Sequence, residues 1–136
     1  MTKVSFYLFE KSAERQVQSA CRLCRKILSK AQHRIWMYCP DPDLQHQLDQ
    51  TLWDFDAQSF LPHGIEQSTA PICISAQLPA SSDIIVFNFD QQAIAEHSQY
   101  SHIIEIIEND EAAKVIGREK FKYYRTLGLQ PKAFKL

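Results

Sequence analysis

Five short stretches of this chain are apolar at nearly every position: VSFYLF (4–9), RIWMYC (34–39), PICIS (71–75), DIIVFNF (83–89) and HIIEII (102–107). A strand with one wet face would alternate apolar and polar residues. Continuous apolar runs of this length read instead as strands buried on both faces. Such strands need a covering layer on each side. The intervals between them carry helical periodicity, so the expected architecture is α/β, with three layers and a mainly parallel sheet flanked by helices.

The helices can be placed from their stripes and caps. Ser12 stands where it can cap a helix whose Ala13, Val17, Ala20, Cys21, Cys24, Ile27, Leu28 and Ala31 recur at helical spacing. Asp41 and Pro42 start a second, with Leu44, Leu48, Leu52 and Phe55 as its apolar stripe. The third opens at Asp110 or Glu111 and closes at Gly128. Residues 56–67 read as an irregular loop around Pro62 and Gly64, and residues 91–100 as a weak helix. No linker or repeat divides the chain, so residues 1–136 are expected to form one domain. The N-terminal apolar run meets Glu10 and Lys11 at once, and no run approaches the ~20 residues that span a bilayer. A cytoplasmic protein with no membrane partner is the expectation.

Parallel α/β sheets often bind nucleotides, but the usual equipment is missing. The turn after the first strand reads EKSAE, with no glycine to let backbone amides approach a phosphate. The fold should therefore be Rossmann-like without a nucleotide-binding loop, and no cofactor is expected. CRLC at 21–24 has redox spacing, but it falls two to three turns into a helix, beyond the reach of the helix N-terminus on a thiol. Cys39 and Cys73 are isolated, and the five histidines show no ligand spacing. All four cysteines read as core, and no metal is expected. No catalytic motif is evident.

Charge is the second strong signal. The net charge is only −1, yet residues 1–34 hold eight Lys/Arg against two acids, and residues 114–136 hold seven against one. Residues 35–113 hold thirteen acids and no Lys or Arg. Such asymmetry points to partners. Taking about 100° per residue from Lys114, the residues Arg118, Lys122 and Arg125 fall within roughly 80° of it, with Phe121 beside them. Ala112, Ala113, Ile116, Tyr123, Tyr124 and Leu127 fall opposite, as the expected core face, with Lys120 at its edge reaching water through a buried stem. A basic stripe with an aromatic neighbour suits a compact anion with an apolar end; a long polyanion would be repelled by the acidic middle. A solvated helix face is the competing reading. Trp53 lies one position past the second helix's stripe, and Phe60 beside Leu61 and Pro62 in the loop. Both aromatics suit either an interface or the end of the core.

FYLF (6–9), LWDFDAQSFLPHG (52–64) and REKFKYYRTLG (118–128), in this order, resemble the chi subunit of bacterial DNA polymerase III. The resemblance spans nearly the whole chain; segment 65–82 is short for the family. It implies a non-catalytic adaptor of the clamp loader. One surface would bind the psi subunit, at Trp53, Phe60, Leu61 and Pro62. Another would bind the acidic C-terminal tail of single-stranded DNA-binding protein, which ends in proline and phenylalanine after several aspartates. Its residues here would be Lys114, Arg118, Phe121, Lys122 and Arg125, with Ile107 as a pocket wall. Where the family carries a tyrosine, this chain has Phe121, which keeps the ring and loses the hydroxyl. By analogy a helicase-type repair protein would use the psi surface, and DNA would be met only indirectly. A nucleotide-dependent enzyme on the same fold, or a direct DNA binder, are the alternatives.

Overall fold

The computed structural model describes residues 2–9, 16–30, 34–54, 63–68, 70–79, 83–95 and 100–135. Among the described residues, seven strands and three helices follow in the order β1 (Lys3–Leu8), α1 (Gln16–Lys30), β2 (Arg34–Tyr38), α2 (Pro42–Asp54), β3 (His63–Ile65), β4 (Ile72–Ser75), β5 (Ile84–Asn88), β6 (His102–Ile107), α3 (Glu111–Thr126) and β7 (Lys132–Lys135). The strands form one sheet in the order β3-β4-β2-β5-β6-β1-β7. Every pairing is parallel.

The apolar runs make the middle of this sheet, buried on both faces as their composition requires. Ile35, Met37, Ile72, Ile74, Phe87, Ile104 and Ile106 pack on one side, with Ala20, Cys21 and Cys24 of α1 and Leu48 and Leu52 of α2. Val4, Phe6, Val86, Ile103 and Ile107 pack on the other, with Tyr124 of α3 and with Ile94 and Tyr100. All four cysteines are free and buried.

Two expectations are corrected. Residues 63–65 are not loop; they pair with β4 as β3. This three-residue strand contains a glycine and shows no alternation, so only its partner makes it a strand. Residues 91–95 are not helical. The carboxamide oxygen of Asn88 accepts from the Asp90 amide, and the Asp90 carboxylate accepts from the Gln91 amide, a turn chemistry that competes with helix. After Gly128, with φ of 83°, the chain adds β7 alongside β1, an element the sequence reading did not place. Among the described residues no helix is long and apolar enough to cross a membrane.

Candidate functional site: a cation-rimmed pocket between the last helix and the sheet margin

Helix α3 is set by a cap and by a buried ionic anchor. The Asp110 carboxylate accepts from the Ala113 amide at 3.0 Å, and Leu127 and Gly128 turn the chain out at the other end. Its buried residues are Gly117, Lys120 and Tyr124. The core face is thus rotated from the expected one: Ala112 and Tyr123 are exposed, and Lys120 points inward. Its side chain is almost wholly buried. It donates to Glu105 Oε1 at 2.8 Å and to the Asp90 carbonyl at 2.6 Å. Tyr124 Oη and Asn88 Nδ2 donate to Glu105 Oε2 at 2.7 and 2.8 Å. Tyr124 Oη also accepts from the Ile94 amide, so the cluster ties α3 to β5, β6 and the turn between them. Burial pushes the Glu105 carboxyl above its ordinary range, against the pull of Lys120 and the two neutral donors. Burial and the adjacent carboxylate push the Tyr124 hydroxyl up.

Gly117 lets α3 come close to β6. A Cβ there would stand 2.9 Å from Ile107 Cδ1. Beside this contact lies a pocket of about 240 Å³, lined by Phe6, Leu8, Phe9, Ile107, Glu108, Lys114, Gly117, Arg118, Phe121 and Ala133. Its walls come from β1, β6, α3 and β7, at the margin of the sheet. Phe121 is held by Phe6, ring centroids 5.2 Å apart. The cations Lys114 and Arg118 stand on the rim. Lys114 has a long contact of 3.9 Å with the largely exposed Glu111, a pairing that competes weakly with a ligand. The rim acid Glu108 accepts from the Gln16 amide at 3.0 Å, so part of its charge is already spent on the start of α1.

The structure therefore brings Ile107, Lys114, Arg118 and Phe121 around one cavity. Lys122 and Arg125 do not line it. Lys122 borders a separate hollow with Gln91, Ala93 and Tyr123, and Arg125 lies exposed in the last turn of α3. Sequence reasoning missed Gly117, Phe6 and Ala133, which become pocket residues only through packing.

On the opposite margin, Trp53 is 55% exposed at the end of α2. Its ring meets the edge of the His63 ring at 5.1 Å, and His63 Nε2 lies 3.2 Å from Asp49 Oδ1. Phe60, Leu61 and Pro62 lie outside the described residues.

Fold and site together define a wound, wholly parallel α/β protein whose cation-rimmed apolar pocket sits at the sheet margin and not at the centre of the strand ends. The family model described as "DNA polymerase III chi subunit, HolC" matches residues 1–132, and the chain belongs to that family. Curated relatives carry the name DNA polymerase III subunit chi. The one from Pseudomonas aeruginosa is 27% identical over 132 residues, covering 94% of this chain and 92% of the relative. Those from Escherichia coli and Haemophilus influenzae are 28% identical, over 70% of this chain and 69% of the relative, and 25%, over 90% of each. Among solved structures, the C-terminal domain of Saccharomyces cerevisiae Dbp5, in a complex with Gle1 and IP6, superposes with a TM-score of 0.61. It covers 98% of this chain and 90% of its own at 12% identity, a likeness of fold alone. Family membership makes this chain a DNA-replication accessory subunit that works among other subunits of the polymerase III replicase.

Proposed function

We propose that this subunit is a non-catalytic adaptor, in which the pocket between α3 and the sheet margin holds the acidic, phenylalanine-terminated tail of single-stranded DNA-binding protein. One observation carries the reading: an apolar cavity of Phe6, Leu8, Ile107 and Phe121 opens beside two cations, Lys114 and Arg118. The terminal phenyl ring fills the cavity, and the free carboxylate pairs with the cations, Arg118 in bidentate fashion. Phe121 offers a ring face without a hydroxyl, so this wall contributes packing only. Lys122 and Arg125 lie further along α3 and act on the tail's aspartates through their field. The Trp53 margin, with Phe60, Leu61 and Pro62, takes the psi subunit or a helicase-type protein in its place; the half-exposed indole beside His63 has the form of an interface anchor. The two surfaces then link the clamp loader to protein-coated single strands.

The test is titration of a fluorescent peptide copying that tail against the wild type and a Lys114→Ala/Arg118→Ala variant. Saturable binding, weakened by salt and lost in the folded variant, is the expected result. A folded wild type that leaves the peptide free sinks the reading.

A further inference from the structure

The pocket accounts for the last residues of a bound tail, and Lys122 and Arg125 reach the aspartates before them only through their field, with no backbone contact for that segment. The outer wall of the pocket includes Ala133, which belongs to β7. β7 is the last strand of the sheet, and among the described residues it pairs with β1 alone. All four of its residues, Lys132, Ala133, Phe134 and Lys135, are exposed. Its outer side thus presents backbone donors and acceptors for a further strand. Alternation sets the side chains: Ala133 and Lys135 lie on the α3 side, and Lys132 and Phe134 on the other, where Phe134 stacks on Tyr7 at 5.4 Å. The smallest of the four, Ala133, stands on the pocket wall, so a chain leaving the pocket on that side would cross the strand there.

We propose that β7 receives the aspartate-bearing stretch of the tail as an added strand, with Lys132 and Lys135 facing its carboxylates from the two sides of the sheet. The inference rests on the pocket reading above and extends it from the final residues to the segment before them. Edge lysines ordinarily discourage pairing, because two copies of such a strand repel. Toward an acidic chain the same lysines attract. The edge is therefore closed to a second copy of KAFK and open to a run of aspartates, a selectivity that a neutral edge would lack. The main chain contributes hydrogen bonds whatever the side chains, and the lysines choose the charge. Four residues of strand offer about 13 Å of pairing, enough for three or four tail residues.

The experiment compares two peptides, the full acidic tail and a short one holding only its proline–phenylalanine end, on the wild-type chain and on Lys132→Glu/Lys135→Glu. The short peptide should bind both proteins alike. The full tail should bind the wild type more tightly and lose about tenfold on charge reversal. Full tails N-methylated at alternate residues should divide, one of the two patterns binding as poorly as the short peptide. Hydrogen exchange at residues 132–135 should slow with the full tail and not with the short one. Exchange that stays unchanged, or two methylated patterns that bind like the parent, overturns the added strand. So does a full tail that ignores the β7 lysines and weakens with Arg125→Glu, which would run the aspartates along α3. If neither peptide binds, the pocket reading fails and the strand with it, whereas a short peptide that binds as well as the full tail leaves the pocket standing and removes only the strand.

Discussion

Replacing Lys120 by methionine keeps the length of the side chain and removes its charge. The ammonium is almost wholly buried and the Glu105 carboxylate is completely so, 2.8 Å away. In Lys120→Met the carboxylate keeps two donors, Tyr124 Oη at 2.7 Å and Asn88 Nδ2 at 2.8 Å, and loses its counter-charge. Breaking one side of a buried pair typically costs about 3–5 kcal/mol. For a chain of 136 residues that lowers the melting temperature by about 10 °C or more. Burial already raises the Glu105 carboxyl, and Lys120 is the main influence holding it down. The folded carboxyl therefore already holds its proton to a higher pH than the unfolded one, and without Lys120 that gap widens. Stability then falls as pH rises above the unfolded carboxyl range, by up to about 1.4 kcal/mol per pH unit until the folded carboxyl has titrated. Urea unfolding of both proteins between pH 5 and 8 measures this. The variant should lose most at pH 8 and least at pH 5, and Lys120→Met/Glu105→Gln should recover much of the loss because no lone charge remains buried. A single variant within about 1 kcal/mol of wild type, or a deficit that does not change with pH, would refute the account of the anchor.

Gly117→Ala should leave stability within about 1.5 kcal/mol, since the gain in helix propensity offsets crowding against Ile107 at 2.9 Å. Ile107 must then yield toward the pocket, so tail-peptide affinity should fall even though the melting temperature barely moves. Trp53→Ala, at a site 55% exposed, should cost less than about 1 kcal/mol in urea while weakening psi at least tenfold in a binding titration. Burial pushes the thiols up, Cys39 to about 11 and Cys21 to about 12, and Cys24 also well above its ordinary value. The folded chain should therefore resist alkylation at pH 8 until urea is added. Because the unfolded thiols ionise first, stability should decline as pH climbs from about 9 toward 12.

Composition made the sheet legible. HIIEII and DIIVFNF could be little else than buried parallel strands, and the Asp110 cap and Gly128 bounded α3 from sequence alone. β3 and β7 were not legible, because HGI and KAFK become strands by pairing with β4 and β1 and carry no apolar signal of their own. The rotation of α3 was hidden for a related reason. A helical wheel ranks residues by polarity and so placed Lys120 at an edge, yet Glu105 in the middle of β6 needed a buried partner. That acid in an otherwise apolar strand was the available clue, and one lysine on the facing helix answers it. Gly117 carried no signal of its own in the sequence; its place shows only where Ile107 packs against it.

The wound fold offers another hollow, and its chemistry explains why binding is better sought at the margin. Sheets of this kind commonly seat nucleotides beyond the carboxyl ends of their central strands. Here that region is lined by Asp41 after β2, Asp90 after β5, and Glu108 and Asp110 after β6. The Lys120 ammonium, which also borders it, is bound to Glu105 and to the Asp90 carbonyl. A phosphate entering would meet four carboxylates and no glycine-rich turn. Each like charge raises the free energy of an incoming anion, and the narrower the hollow the less solvent screens it. Lys114 and Arg118 of α3 stand instead at the marginal pocket, and Lys132 and Lys135 on the open strand β7. The same architecture that in other chains gathers phosphates at its centre here lines that centre with carboxylates and carries Lys114, Arg118, Lys132 and Lys135 at its margin.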